Sequence, residues 1–151
     1  MSGWSWIRVA SVLGFLAVGV GAFGAHGLKA RLDEFGTSAT FQTGAHYHMV
    51  HALALLALGL IFRGGPASMA GNVAGWAFVG GVVVFSGSLY VLSVTGMKWL
   101  GAITPLGGLA FLVGWIALAF AAGDLGTTVE GRAPRAPVSY ATTPVEDVRQ
   151  T

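Results

Sequence analysis

The sequence contains no cysteine among its 151 residues. Disulfide bonds, thiolate-bound metals, iron–sulfur clusters and cysteine nucleophiles are therefore excluded. Charged residues are also scarce, at 9% of the sequence, whereas a soluble domain carries about 25%. A chain this short cannot bury so much apolar surface in a soluble core, so the low charge content indicates a protein surrounded by lipid.

Four stretches contain no Lys, Arg, Asp or Glu: residues 9–28, 36–62, 64–97 and 99–123. Each is long enough to cross a membrane, because about 20 helical residues span a hydrocarbon core of about 30 Å. We therefore predict an all-α, multi-pass integral membrane bundle of four transmembrane helices within residues 1–123. The predicted spans lie at about 5–25, 40–62, 69–93 and 100–122.

Two segments outside the spans differ from them in composition. Residues 26–40 carry apolar side chains at helical spacing (Leu28, Leu32 and Phe35), which predicts a short interfacial helix. Residues 124–151 are polar and contain Pro134, Pro137 and Pro144, which predicts a flexible tail.

The first apolar stretch also has features of a signal peptide, since Arg8 precedes it and Ala22-Phe23-Gly24 offers small residues for cleavage. Its length exceeds the usual apolar core of such a peptide, which favours a retained first helix. Four spans put both termini on one side of the membrane. Arg8, Arg63, Arg132 and Arg135 lie on that side, against Lys29, Arg31 and Lys98, which slightly favours cytoplasmic termini.

Polar residues concentrate near the start of the second predicted span. Tyr47 and His51 are one helical turn apart with His48 beside them, and the remaining members are Gln42, Thr43 and His46. His26 ends the first span on the same side, so we predict that all four histidines share one interfacial layer. Three functions fit such a layer: metal or haem ligation, proton relay, and a small polar ligand site. The simpler alternative is that these side chains hydrogen-bond one another and helix ends.

Hydroxyl and glycine residues mark the later spans. Ser86 and Tyr90 share one face of the third span, as a cavity lining or as helix-packing groups. Thr104-Pro105 with two following glycines indicates either a broken helix or a helix start. Small residues let membrane helices approach closely, and we predict this role for Gly14, Gly21, Gly71, Gly75, Gly87 and Gly107.

Several of these motifs occur together in a known family. The motifs are Gly21-Ala22-Phe23-Gly24-Ala25-His26, Gln42-Thr43-Gly44, His51-Ala52-Leu53-Ala54, Phe85-Ser86-Gly87-Ser88-Leu89-Tyr90 and Thr104-Pro105-Leu106-Gly107-Gly108. Over about residues 14–122 the chain resembles the small bacterial membrane proteins called domain of unknown function 423, or the UPF0382 membrane family. The resemblance implies a four-helix protein of the bacterial inner (plasma) membrane and carries no catalytic residue. The chain departs from the family pattern at His46 and His48 and in the tail after Gly123.

The function predicted from the sequence is that of a non-enzymatic structural or accessory subunit of a larger membrane complex. Membrane lipid and either another membrane protein or further copies of the chain are the expected partners. No cofactor is predicted, and no basic patch supports nucleic-acid binding despite the sequence pI near 9.4. The alternatives are a small transporter, channel or proton-handling protein, and a haem- or metal-binding subunit. The candidate polar or ligand-site residues for these alternatives are His26, Gln42, Tyr47, His48, His51, Ser86 and Tyr90.

Overall fold

The computed structural model describes the backbone of residues 1–130 and the side chains of residues 1–123. Four helical spans in this region are long and apolar enough to cross a membrane, and no β-strand forms within it. This confirms the predicted all-α, four-span membrane fold. In chain order the elements are α1 (Gly3–His26), α2 (Lys29–Glu34), α3 (Ser38–Ile61), α4 (Met69–Gly81), a π-helical segment (Val82–Ser86), α5 (Gly87–Thr95), a 3₁₀ turn (Lys98–Ala102) and α6 (Thr104–Glu130).

Side-chain caps and turns set several of these boundaries. The Ser2 hydroxyl accepts a hydrogen bond from the Ser5 amide at the start of α1, and Ser68 caps α4 through the Gly71 amide. Gly96 ends α5 in the left-handed conformation at φ 73°, which a residue without a Cβ adopts at little cost.

The last membrane span, Lys98–Gly123, agrees with the predicted 100–122. Residues 98–102 form a 3₁₀ turn and α6 starts at Thr104, followed by Pro105, whose missing N–H costs least in a first turn. This agrees with the interpretation of Thr104-Pro105 as a helix start. Because α6 continues to Glu130, the predicted boundary between residues 123 and 124 falls inside it. The rest of the predicted flexible tail lies outside the described residues.

Helices α1 and α3 form an antiparallel hairpin held together by close backbone approach. At one end the backbone of Gly3 contacts that of Phe62, and at the other the Phe41 ring lies against Gly24. A Cβ built on Gly59 would lie 2.8 Å from the backbone nitrogen of Ile7, closer than real contacts allow. Glycine at these positions therefore lets the two helices pack along their whole length.

The third span (α4, the π-helical segment and α5) packs antiparallel on α6 by inserting phenylalanine rings against glycines. Phe78 of α4 lies against Gly114 of α6, and Phe111 of α6 lies against Gly81 of α4. Each helix thus places a phenylalanine ring against a glycine of the other, and these two contacts fix the helices in one register.

Helix α3 and the third span form the centre of the bundle, and α1 and α6 are its outer helices. Of the most apolar 18-residue window in each span, 44% is buried for α3 and 39% for the third span, but 17% for α1 and 22% for the last. The core joins Trp6, Leu55, Leu58, Ala74 and Phe78, each fully buried. The outer faces of α1 and α6 are therefore left to lipid or to other proteins.

The short helix α2 lies between α1 and α3, as the apolar spacing of residues 26–40 predicts. Leu32 is buried beneath it, while its charged side chains form two ion pairs in solvent. Lys29 Nζ lies 2.8 Å from Asp33 Oδ2, and Arg31 lies 3.0 Å from Glu34. The helix thus places four charges at one end of the α1–α3 hairpin.

Candidate functional site

His51 lies where α3, α4 and α6 meet, and both of its ring nitrogens are hydrogen-bonded. The indole Nε1 of Trp115 donates to His51 Nε2 across 3.2 Å. An indole N–H only donates, so Nε2 carries no proton and the imidazole is neutral. The remaining proton is on Nδ1, which donates to the Tyr47 carbonyl oxygen at 2.8 Å.

Aromatic rings hold His51 in this orientation. The Phe111 ring stacks on the imidazole with a centroid separation of 3.5 Å and an interplanar angle of 10°. Phe78 lies 5.6 Å away on another side, and Trp115 packs edge-on against Phe78 at 5.3 Å. Because Phe78 and Phe111 are themselves seated against glycines, helix packing fixes the position of the imidazole.

The hydrogen bonds of His51 argue against a role for this residue as a metal ligand. A ligand nitrogen needs a free lone pair, and the Nε2 lone pair of His51 already accepts from Trp115. Within the part of the chain with described side chains, no group of three or more His, Asp or Glu is placed to hold a metal ion. The geometry of His51 is that of a structural hydrogen-bonded residue.

His48, one turn earlier on α3, faces α5 instead of α6. Its Nδ1 lies 3.3 Å from the hydroxyl oxygen of Tyr90, whose ring also packs on Phe41 at 5.0 Å. His48 is 5% exposed, and its Nε2 has no hydrogen-bond partner among the described residues. The backbone of Leu13 lies beside this imidazole, so the His48–Tyr90 pair stands between α1, α3 and α5.

The predicted hydroxyl face of the third span points into the protein. Ser86 is fully buried at the end of the π-helical segment, and its Oγ has no hydrogen-bond partner in the described region. Ser93 of α5 is also fully buried, and its Oγ likewise has no partner there. Ser88 by contrast lies 2.8 Å from the Thr104 hydroxyl, which ties α5 to the start of α6.

The four histidines do not share one interfacial layer, contrary to the prediction. His48 and His51 follow Ser38 by 10 and 13 residues, which places them about 15 and 20 Å along the helix axis. They therefore lie near the middle of the span. His26 ends α1 at the level where α3 begins, about 15–20 Å from them along the axis, and it is exposed, as is His46. Each residue advances a helix by about 1.5 Å, so residues this far along α3 lie well inside the span, which the prediction of one interfacial layer did not take into account.

The six glycines predicted to pack divide into two groups. A Cβ on Gly75 would overlap the Trp6 ring, one on Gly107 would overlap the backbone of Phe85, and one on Gly71 would lie 2.8 Å from the Phe62 ring. Around Gly14, Gly21 and Gly87 no atom lies within 4 Å of such a Cβ. The second group therefore packs against nothing within the described chain.

A separate cavity of about 360 Å³ lies at the α2 end of the hairpin, between α1, α2 and α3. Its polar side is formed by Lys29, Asp33, Ser38 and Gln42. Its apolar wall includes Gly21 and Ala25 of α1, Leu32 of α2, and Phe41 and Ala45 of α3. Gln42, one of the predicted site residues, is thus placed with charged groups of α2 and not with the histidines. We call this space the hairpin cavity.

Hydrogen bonds hold the charges at the hairpin cavity in their ionised forms. The Lys29 ammonium and the Ser38 hydroxyl both donate to Asp33, and they lower the pKa of that carboxyl below its ordinary value of 3.8. The Asp33 carboxylate in turn raises the pKa of Lys29 above its ordinary value. The cavity therefore presents one positive and one negative group at neutral pH. Sequence reasoning did not identify Lys29 and Asp33 as site residues, because a pair at i, i+4 is an ordinary feature of exposed helices.

Comparison with known proteins gives a consistent result. A family model described as protein of unknown function (DUF423) matches residues 20–108. The UPF0382 membrane protein YwdK of Bacillus subtilis is 48% identical over 118 residues, which cover 77% of this chain and 94% of that protein. The UPF0382 membrane protein SAB0533 of Staphylococcus aureus is 47% identical over 106 residues, 70% of this chain and 84% of that protein. No solved structure matches.

Proposed function

The chain belongs to the UPF0382 (DUF423) family of membrane proteins. We propose that it is a non-enzymatic accessory subunit of a larger membrane complex. One observation supports the proposal: beside its contact with α3, helix α1 carries small residues next to which the described chain leaves open space. Gly14 and Gly21 are two helical turns apart, and Ala25 is one turn further on the same face. Both glycines have open space where a Cβ would stand.

This small-residue face (Gly14, Gly21 and Ala25) is suited to another helix. In lipid there is no hydrophobic force between helices, so association depends on close packing, which small residues permit. On the inner face of the same helix, Ala10, Ala17 and Gly24 already serve this purpose against α3. Gly14, Gly21 and Ala25 lie about 60° around α1 from that inner row and repeat its pattern beside open space. The partner proposed here is a helix of a different membrane protein.

The test compares two glycines of α1 that have equal space around them. Gly14 lies on the small-residue face, whereas Gly19 lies about 140° around the helix and is also open. Gly14→Leu and Gly19→Leu should both fold, because no atom lies within 4 Å of a Cβ built at either position. Native membranes are extracted in mild detergent, intact complexes are separated by size, and the proteins that migrate with the chain are identified.

We expect the unmodified chain and Gly19→Leu to migrate with a stoichiometric larger complex, and Gly14→Leu to leave it. Migration of the unmodified chain alone, as a monomer or a homo-oligomer, would overturn the proposal. Equal retention of both variants in a complex would overturn the role of the small-residue face.

Proton or ligand handling inside the bundle is a second candidate, favoured by the unbonded His48 Nε2 and Ser86 Oγ. Buried polar groups without partners are costly in a membrane and are often functional. A proton flux in proteoliposomes that His48→Phe abolishes while the unfolding midpoint stays unchanged would favour this candidate over the subunit role. Haem or metal binding has less support, since His51 has no free nitrogen.

The proposal extends to location: the bacterial plasma membrane, with both termini in the cytoplasm. The bacterial relatives and the slight excess of arginine on the terminal side support this. An alkaline phosphatase fused after Thr151 should be inactive, and a fluorescent protein fused there should fluoresce. The reverse pattern would place the termini on the outer side.

A further inference from the structure

The hairpin cavity has the depth of a lipid headgroup site. Gly21 lies five residues before the end of α1, and Ala45 lies seven residues after the start of α3. At 1.5 Å per residue the cavity therefore reaches about 8–10 Å into the spans. The polar region on one side of a bilayer is about 5–8 Å thick, so the cavity spans it and reaches a little further. Its charged groups stand at the outer end, and its wall becomes apolar towards the interior.

The charges in the cavity suit a ligand that carries both signs. Lys29 and Asp33 are paired with each other, but their side chains are 70% and 53% exposed, and such pairs are worth little in solvent. A ligand with an anionic group and an ammonium group replaces both partners at once and leaves no charge unpaired. A purely anionic ligand would bind Lys29 but would place its charge against Asp33.

Gln42 offers a ligand hydrogen-bonding groups in addition to the charges of Lys29 and Asp33. Its amide can donate two bonds and accept two, and it has no hydrogen-bond partner among the described residues. It lies one turn into α3 from Ser38, on the same cavity wall. An amide at this level can hold the ester or phosphate oxygens of a headgroup below the two charges.

The absence of a side chain at Gly21 keeps the cavity open towards the membrane. No atom lies within 4 Å of a Cβ built there, so the α1 wall is bare at this point. At Gly24, one turn nearer the end of α1, the Phe41 ring occupies the corresponding space. The glycerol and acyl chains of a lipid could leave along Gly21, whereas a free small molecule would gain nothing from this opening.

We infer that the hairpin cavity binds the headgroup of a zwitterionic aminophospholipid, with its phosphate on Lys29 and its primary ammonium on Asp33. A primary ammonium donates hydrogen bonds to a carboxylate, whereas the quaternary ammonium of a choline lipid has no N–H to donate. The site therefore distinguishes phosphatidylethanolamine from phosphatidylcholine at equal net charge. The lipid would occupy Gly21 and Ala25, which also belong to the small-residue face, so lipid and partner helix would share this part of α1.

The experiment is native mass spectrometry of the full-length protein with an equimolar mixture of phosphatidylethanolamine, phosphatidylcholine and phosphatidylglycerol of identical acyl chains. We expect retention of phosphatidylethanolamine about tenfold above the other two, the effect of one charge-assisted hydrogen bond. Asp33→Asn should remove most of this preference. Glu34→Gln is the matched control, because Glu34 is in a similar exposed pair on the same helix but outside the cavity.

A second pair of variants tests the cavity without touching charge. Gly21→Leu should fill the open wall and reduce phosphatidylethanolamine binding about tenfold, whereas Gly19→Leu, on another face of α1, should leave it unchanged. Equal retention of all three lipids, or equal loss in Asp33→Asn and Glu34→Gln, would overturn the inference. Water-soluble glycerophosphoethanolamine that displaces none of the lipid supports a membrane source; if it binds as tightly as the lipid, the lipid assignment is wrong.

Discussion

The indole N–H of Trp115 donates to Nε2 of His51 across 3.2 Å, and this bond joins two residues that are 64 positions apart in the chain. It also determines which ring nitrogen carries the proton. Removing the donor leaves a buried acceptor unbonded, which costs more than the hydrogen bond itself contributes.

Trp115→Phe should therefore lower the free energy of unfolding by about 1–3 kcal/mol. Phenylalanine keeps the edge-on packing on Phe78, so the loss reports the missing N–H. The measurement is unfolding by denaturing detergent in mixed micelles. Trp99→Phe is the control, since Trp99 is 62% exposed, and it should change stability by less than about 0.5 kcal/mol. Equal stability of the two variants would show that the bond contributes nothing.

The Ser88–Thr104 contact connects α5 to the beginning of α6, and its coupling energy should be modest. The two hydroxyl oxygens are 2.8 Å apart, but each also lies within reach of a backbone carbonyl, Phe85 O for Ser88 and Leu100 O for Thr104. Each side chain keeps a partner when the other is removed. A double-mutant cycle of Ser88→Ala and Thr104→Val should give a coupling of about 0.6 kcal/mol. A coupling above about 2 kcal/mol would contradict this account.

The spans could be predicted from the sequence because charge is expensive in hydrocarbon. Within residues 1–123, charged residues therefore lie at the ends of spans, and the gaps between them give each helix to within a few residues. The π-helical segment at Val82–Ser86 has no such local signal and was not predicted.

The contacts between residues of the candidate site could not be predicted from the sequence, because the contacting residues are far apart in the chain. His48 and His51 are one turn apart, yet one contacts Tyr90 of α5 and the other Trp115 of α6. The glycines show the same limit. Gly75 and Gly14 have similar neighbours in sequence, but only at Gly75 does a tryptophan from another helix occupy the space of a Cβ. Tertiary packing decides which partner each of these residues contacts, and helical spacing in the sequence carries no information about tertiary packing.

The Lys29–Asp33 pair predicts a pH dependence with a definite sign. The pKa of Asp33 is lowered, first by the Lys29 hydrogen bond and then by Ser38. Its contribution to stability is therefore fully present above the ordinary value of 3.8 and is lost as the pH falls through the lowered folded value. In an NMR titration of the Asp33 carboxyl carbon, Lys29→Met should move the pKa up towards 3.8. Arg31→Met should have a smaller effect, because Arg31 pairs with Glu34; a larger one would contradict the assigned cause.

Two adjacent glycines of α4 give the sharpest test of helix packing. A Cβ on Gly81 would overlap the Phe111 ring, the same ring that stacks on His51, whereas a Cβ on Gly80 meets nothing within 4 Å. Gly81→Ala should therefore destabilise the protein by about 1–3 kcal/mol through overpacking. Gly80→Ala should be neutral or stabilising by up to about 1 kcal/mol, since alanine has the higher helix propensity.

Both alanine variants change the same helix by one methyl group, so propensity cancels and the difference isolates the contact with Phe111. The free energy of unfolding in mixed micelles is measured for each variant. The shift of Phe111 should also disturb the His51 ring signals in Gly81→Ala and leave them unchanged in Gly80→Ala. If the two variants are equally stable and their His51 signals are alike, then Phe111 does not seat against Gly81 and the register of α4 on α6 is different from the one described.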